Sequence, residues 1–214
     1  MTTTKTPTLT PSPTAKTRDG KTTREAILVA ALRLMPVHGY HATSLDDVLR
    51  ESGVGKGNFY YQFRSKEDLG FAILDQLVSR FVERTLEPCF ADPESARLGQ
   101  IRCFLDRVLE AQRKSNCVGG CFMGNLACEL SDVHEGFRQQ LAGIFDVYRD
   151  HLAEAIRRGQ QSGRLRPDAD AVRVAQFLVG ALEGAILLGK VTRDITVIER
   201  CVEELKVHLA LYRN

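Results

Sequence analysis

Residues 43–68 read T-S-L-D-D-V-L-R-E-S-G-V-G-K-G-N-F-Y-Y-Q-F-R-S-K-E-D, and this stretch predicts two short helices across a tight turn. Ser44 and Asp47 have the S-x-x-D spacing of a capping box, which opens a helix. Gly53 readily adopts the left-handed conformation that ends one. A second short helix then runs to about Phe63. A helix, a glycine-containing turn and a second helix form the helix-turn-helix motif, whose second helix docks in the major groove of DNA.

The second helix of this motif has a composition suited to DNA. Gly55 and Gly57 keep its first turn thin, so that its backbone can approach a phosphate. Cations and hydrogen-bonding groups surround it: Lys56, Arg64 and Lys66, and Asn58, Tyr60, Tyr61 and Gln62. The alternative is that its aromatic residues are core and its basic residues a solvated face. Phe59 and Phe63 fit a core, but two adjacent tyrosines lie about 100° apart on a helix, so at least one faces outward.

These residues resemble the DNA-binding core of TetR-type repressors, over roughly residues 22–75. By that resemblance the residues at or beside the DNA are Lys56, Asn58, Tyr60, Tyr61 and Gln62, and those near the phosphates are Thr43, Arg64 and Lys66. The family often has a small hydroxyl residue where Asn58 stands and a His where Gln62 stands. The operator sequence therefore cannot be transferred from the family. The resemblance implies a double-stranded DNA operator as partner.

Composition limits the class of protein. The 214 residues are 43% hydrophobic and carry a net charge of +2, so a DNA contact must come from a local basic patch. No apolar run is long enough to predict a membrane span or a signal peptide, so we expect a cytoplasmic protein without a membrane partner. Six cysteines should mostly be thiols in a reducing cytosol. No motif predicts a cofactor.

The predicted fold is all-α, because no strand alternation or hairpin signal occurs. We expect a disordered tail at residues 1–20, a helix-turn-helix DNA-binding domain at 21–66, and a helical effector-binding and dimerisation domain at 67–214. Thr22 with Glu25 predicts the cap of the first helix. A linker helix should run from Ser65 to about Thr85, followed by a break marked by Pro88, Pro93 and the polar residues between them.

The last two predicted helices, about 169–190 and 195–212, are amphipathic. A helix-turn-helix protein normally pairs two half-sites, which favours a two-fold homodimer. We predict that these helices form the dimer, with Val179, Leu182 and Ile186 in the interface. The alternative is that they complete the monomer core. The TetR resemblance favours the dimer, since similar repressors pair through their last two long helices.

Residues 117–132, C-V-G-G-C-F-M-G-N-L-A-C-E-L-S-D, are the candidate thiol sensor. Cys121 begins a helix after two glycines, where amides and helix dipole favour a thiolate. Cys117 could resolve an oxidised Cys121, and Cys128 lies about two turns further on, on the same face as Cys121. Two alternatives remain, namely apolar filler and a metal site, although C-x3-C-x6-C matches no common zinc framework. The stretch also resembles that of electrophile-sensing TetR-type repressors.

An apolar effector pocket should lie among the helices of the larger domain. The residues predicted to line it are Phe104, Leu105, Cys121, Phe145, Tyr148 and Phe177. The alternative is a solid core in which these aromatic rings only pack. The sequence thus predicts a dimeric repressor released from DNA by a small effector or by thiol modification. Two other functions stay open, a cysteine-dependent enzyme and a DNA-binding regulator without an effector, although no His and acid stand near the cysteines at a catalytic spacing.

Overall fold

The computed structural model describes residues 20–91 and 97–214, and its regular structure there is helical. The helices are α1 (Gly20–His38), α2 (Leu45–Ser52), α3 (Lys56–Gln62), α4 (Lys66–Phe81), α5 (Glu87–Phe90), α6 (Arg97–Lys114), α7 (Phe122–Leu130), α8 (Glu135–Gln161), α9 (Ala171–Thr192) and α10 (Ile195–Ala210). Within those ranges the extended pairing is a single isolated bridge between Leu165 and Arg213. The predicted all-α class is confirmed.

The small N-terminal domain follows the predicted motif closely. Ser44 and Asp47 form both halves of a capping box, and Gly53 ends α2 at φ 65°. The core beneath α1, α2 and α3 is apolar, with Val48 and Phe59 fully buried. Helix α1, by contrast, begins at Gly20, so Thr22 lies inside the helix and the predicted Thr22 cap is wrong. The expected tail falls on residues 1–19, outside the described part of the chain.

The linker helix continues further than predicted. After α4 a π-helical turn spans Val82–Leu86, and the chain stays helical through Pro88 to Phe90. The Glu87 amide donates to the Val82 carbonyl five residues earlier, so Pro88 falls near the start of a new helical segment, where its missing N–H costs little. The helix therefore passes Pro88 and ends at Phe90, within the segment where the break was expected, while Pro93 lies outside the described residues.

A disulfide between Cys89 and Cys103 joins α5 to α6, and the other four cysteines are free thiols. The expectation of mostly thiols fits, but the sequence did not predict this pair.

The larger domain is a helical bundle in which α9 packs against both α8 and α10. Its core is apolar and closely packed, with Leu152, Ala175 and Val202 fully buried. The α9–α10 approach requires Gly189, because a Cβ there would lie 2.5 Å from Ile198 Cγ1. Helix α7 contacts this bundle at its start and the N-terminal domain near its end, so it lies beside both candidate sites.

Candidate nucleic-acid interface, effector pocket and dimer face

Helix α3 presents its polar side to the outside. Tyr61 is 83% exposed and Tyr60 is 51% exposed, whereas Phe59, on the core side of α3, is fully buried. Lys56 and Asn58 are exposed as well. We call Lys56, Asn58, Tyr60 and Tyr61 the reading surface. Both phenols face outward, although the sequence required only one to do so.

The two predicted residues that follow this surface, Gln62 and Arg64, differ in their solvent exposure. Arg64 is exposed, and Gln62 is half-buried. Neither Lys56 nor Arg64 forms an ion pair with any residue in the described ranges, so both ammonium and guanidinium groups are available to a phosphate. The surface therefore combines free cations with exposed hydrogen-bonding groups, which is the composition of a DNA contact.

Thr43 and Lys66, which the resemblance implied lie near the phosphates, form internal contacts in the structure. Thr43 is 2% exposed, and its hydroxyl donates to the Gly39 carbonyl at 2.7 Å. The Lys66 ammonium donates to the His41 carbonyl at 3.3 Å and lies 4.6 Å from the Tyr40 ring centroid. Burial lowers the pKa of Lys66. Both side chains stabilise the loop before α2, because that loop's carbonyls need donors.

Glu129, near the end of α7, holds the same loop from the other domain. Its carboxylate accepts hydrogen bonds from the Tyr40 amide at 2.9 Å and from the His41 amide. Gly39 lies against the same carboxylate, 3.4 Å from where its Cβ would be. Sequence reasoning missed this contact, because residues 40 and 129 are 89 positions apart and no spacing signals it.

A pocket of about 550 Å³ lies among α4, α6, α7, α8 and α9. Apolar side chains make most of its wall, including Leu77, Phe81, Phe104, Phe122, Met123, Leu182 and Ile186. Exposed basic residues stand at its open side: Arg80, Arg84, Arg107 and Lys114. A volume of this size, mainly apolar with a few polar groups, suits a small organic ligand.

Three of the six residues predicted to line the pocket do so: Phe104, Cys121 and Tyr148. Leu105 is fully buried in the core beside it. Phe145 lies behind the wall, with its ring 5.9 Å from that of Tyr148. Phe177 is 49% exposed on the far side of α9, against His208. These three differ from the prediction because a helix turns successive side chains to different faces.

Polar groups inside the pocket are incompletely paired. The Tyr148 hydroxyl and the Gln112 side-chain oxygen are buried without a hydrogen-bond partner. Glu183, on α9, reaches the start of α7, and burial raises the pKa of its carboxyl. Because an unpaired buried polar group costs free energy, these groups indicate a place for a ligand's own polar atoms. No periodic pattern in the sequence indicated Glu183 or Gln112.

Cys121 is the N-cap of α7, where its sulfur accepts a hydrogen bond from the Gly124 amide at 3.4 Å. Its helix-start position was predicted, but its expected thiolate character is wrong. Burial first, and then the Glu183 carboxylate, raise the pKa of the Cys121 thiol well above its ordinary value. A thiolate beside a carboxylate in an apolar pocket is disfavoured by desolvation and by repulsion, which outweigh the helix amides.

The other two candidate cysteines lie apart from the pocket wall. Cys117 is 1% exposed and has a backbone φ of 57°. Its carbonyl accepts a hydrogen bond from the Arg193 guanidinium at 3.1 Å. The loop is therefore pinned, and Cys117 cannot swing freely toward Cys121 as the glycine pair suggested. Cys128 is exposed on the outside of α7. The prediction that it shares a face with Cys121 is not met, because Cys121 caps the helix from a non-helical conformation.

Helix α9 has two apolar faces. Val179, Leu182 and Ile186, predicted to form the dimer, line the pocket, and the latter two are each 4% exposed. We call the opposite side the outer face of α9; its members are Phe177, Leu187, Leu188 and Val191, with Gly180 and Gly184 opening onto free space.

Of the helices in the described ranges, α9 is long and apolar enough by composition to span a membrane. Its most apolar 18-residue stretch has a mean hydropathy of 1.7, and 39% of that stretch is buried inside the protein. A helix that is apolar on both sides needs a partner surface to bury the side that the monomer leaves exposed.

Family comparisons match both parts of the chain. Residues 27–73 match the model described as bacterial regulatory proteins, tetR family. Residues 98–205 match the tetracyclin repressor-like C-terminal domain. The two matches correspond to the reading surface with its supporting helices and to the bundle that holds the pocket.

Relatives and solved structures agree with those matches. The chain is 30% identical to the transcriptional regulator AcuR of Cereibacter sphaeroides over 80% of this chain and 78% of AcuR. It is 26% identical to the transcriptional repressor NemR of Escherichia coli over 86% of this chain and 92% of NemR. A TetR transcriptional regulator from Chloroflexus aurantiacus superposes with TM-score 0.81 at 28% identity, covering 91% of this chain and 97% of that one.

Proposed function

The chain belongs to the tetR family of bacterial regulatory proteins, and from that premise we propose a homodimeric repressor whose pocket ligand releases it from its operator. Members of this family are DNA-binding regulators, so the cysteine-dependent enzyme that the sequence left open is set aside. A DNA regulator works where the DNA is, which supports a cytoplasmic site of action.

The reading surface is the proposed DNA contact. Exposed Lys56 supplies a cation at the start of α3, and Arg64 supplies one just after its end. Asn58 and the two phenols stand between them, where they can reach base edges. Phosphate contacts would set the register of α3, and the exposed polar groups would specify the operator.

The outer face of α9 is the proposed dimer interface. Its exposed leucines, Leu187 and Leu188, are each 54% exposed, and Val191 is 73% exposed. Half-sites of an operator lie about one helical turn apart, so a two-fold pair of reading helices needs a fixed spacing. Burying the same apolar patch on both copies supplies that fixed spacing.

One observation carries the proposed release mechanism: α7 connects the pocket to the loop before α2, in the DNA-binding domain. The helix begins directly after its cap, Cys121, in the pocket wall, and it holds Tyr40 and His41 through Glu129 at its other end. A ligand that shifts the start of α7 moves Glu129 and with it this loop. Release requires that the ligand bind the non-binding arrangement more tightly than the DNA-binding one.

The test measures DNA affinity by fluorescence anisotropy, using duplex from the protein's own upstream region and a panel of small apolar ligands. At least one ligand should lower affinity in the wild type and lose that effect in Val179→Phe, whose added ring fills the pocket. Val147→Phe is the matched control, because Val147 is exposed on α8 away from the pocket. A ligand that releases Val179→Phe and wild type equally would contradict the pocket as the effector site.

A further inference from the structure

The open side of the pocket is positively charged. Arg80 on α4, Arg84 on the π-helical turn after it and Arg107 on α6 line this side, and all three side chains are exposed. We propose that the effector is an amphipathic organic anion, with an apolar body inside the pocket and a carboxylate or phosphate group held by these three arginines, which we call the basic rim. This inference rests on the proposed function, because it names the ligand class of the same pocket.

The charge of the basic rim is not neutralised by the chain itself. Within the described ranges no carboxylate forms an ion pair with any of its three guanidinium groups. The other charged residues at the open side, Glu110 and Lys114, pair with each other at 3.8 Å. Arg80 and Arg84 lie four residues apart, a spacing at which like charges on a helix repel each other. An anion bound between them would remove that repulsion, so the rim favours negative charge.

Arg107 is held in place by the backbone of the facing segment. Pro88 has no N–H, so it cannot donate to the Arg84 carbonyl four residues before it, as a regular helix requires. The Arg107 guanidinium donates to that carbonyl instead, at 2.9 Å. One N–H group is thereby used, and the remaining ones are left for a ligand. A guanidinium presents paired donors that match two oxygens of a carboxylate or a phosphate, which is why arginines suit this role.

The interior of the pocket directs the anionic group of a ligand to the rim. Next to the rim the wall is aromatic, with the Phe81 and Phe104 rings 6.2 Å apart and edge to face. Further in, burial raises the pKa of the Glu183 carboxyl, and any charge that remains on it repels an anion. The apolar body of the ligand therefore belongs inside and its charge outside, where the arginines stand.

The experiment measures binding to the full-length protein by isothermal titration calorimetry, with 4-phenylbutanoate as the anion and 4-phenylbutanamide as its neutral isostere. Wild type should bind the anion at least about tenfold more tightly, because hydrogen bonds to charged groups are the stronger ones. Arg84→Gln should weaken anion binding by about tenfold and leave amide binding unchanged. Arg80→Gln should behave in the same way, while melting curves confirm that both variants are folded.

The control variant is Arg173→Gln, because Arg173 is an exposed arginine of α9 that does not line the pocket. It should bind the anion as wild type does. Raising the salt concentration should weaken binding of the anion and not of the amide, since salt screens exposed charges. Equal affinities of wild type for anion and amide, or equal losses in Arg173→Gln and Arg84→Gln, would overturn the proposal.

Two further probes identify the anionic group. Tighter binding of 4-phenylbutyl phosphate than of 4-phenylbutanoate would assign the rim to a phosphate ester, and weaker binding would assign it to a carboxylate. The cation 4-phenylbutylammonium should bind more weakly than the amide, because the rim repels it. A cation that binds as tightly as either anion would contradict a site built for negative charge.

DNA release measured in parallel separates this inference from the proposed function. Release by the amide at the same occupancy and affinity as by the anion overturns the anion proposal and still supports an effector pocket. An anion that binds through the rim without releasing DNA overturns its role as effector. A dimer that binds no DNA at all removes the proposed function itself, whereas anion binding at the rim would still be seen by calorimetry.

Discussion

Helix α3 and helix α9 each turn one face to the core and the other outward, yet the sequence identified the outer residues of only one of them. In α3 the buried residue is Phe59 and the exposed ones are polar or phenolic, so polarity separates the two faces. In α9 both faces are apolar. Leu182 faces the pocket wall and Leu188 faces outside, although both are leucines.

The difference shows where hydrophobicity stops being informative. A polar residue on a short helix marks its outer face, because burying it without a partner is costly. An apolar residue marks a contact, but it does not say whether the contact is the chain's own core or a second copy. The following expectations, ordered from the largest effect to the smallest, test the comparison of these two helices and the α7 connection between their domains.

Placing a charge on the outer face of α9 should have the largest effect. Leu188→Glu would bury an unpaired carboxylate in the proposed interface, which costs roughly 3–5 kcal/mol. Sedimentation should show a monomer that has lost operator binding. Val133→Glu, on an exposed valine outside α9, is the control and should stay dimeric. A Leu188→Glu protein that sediments as a wild-type dimer would rule out this face.

Removing the Glu129 carboxylate should weaken the contact between α7 and the DNA-binding domain. Glu129→Ala leaves the Tyr40 and His41 amides without their acceptor, and lost hydrogen bonds to a charged group cost about 1.5–3 kcal/mol. DNA affinity should fall, and any effector should change it less than in wild type. Glu154→Ala, on the exposed side of α8, serves as control. An unchanged effector response in Glu129→Ala would show that coupling runs elsewhere.

Lys56 and Lys66 should separate in a salt titration of DNA binding. Lys56→Ala removes a free cation of the reading surface, so the slope of log affinity against log salt should fall by about one unit. Lys66→Ala should leave that slope unchanged, because its ammonium binds the His41 carbonyl. Equal slope changes in the two variants would return Lys66 to the phosphate contacts implied by the family resemblance.

The buried Glu183 carboxyl should give the smallest effect, seen as a pH dependence of stability. Burial raises its pKa in the folded protein, and the thiol hydrogen bond only partly offsets this. The folded state then binds more protons than the unfolded state, so the free energy of unfolding falls as pH rises from the ordinary carboxyl pKa through the raised one.

Glu183→Gln should remove that slope and raise Tm at neutral pH by a few degrees, on the order of 1 kcal/mol. Thermal melts between pH 4 and about pH 8 measure both proteins. A wild type whose stability stays flat over the range, or a Glu183→Gln variant that melts lower at neutral pH, would show that the carboxylate has a stabilising partner instead.

By itself, the sequence determined the helix-turn-helix, since a capping box, a left-handed glycine and a short run of aromatic and polar residues act over a few positions. These local signals fixed Ser44, Gly53 and the exposed side of α3. The helical class of the larger domain and the position of Cys121 at a helix start followed in the same way.

Only the tertiary structure decided which apolar residues of α9 face the pocket, that Thr43 and Lys66 serve an internal loop, and that Glu129 joins two domains. It also reversed the expected acidity of Cys121, because the carboxyl beside it comes from residue 183 and the desolvation from several helices. Contacts between residues far apart in the chain depend on how whole helices pack, and no local spacing encodes that packing.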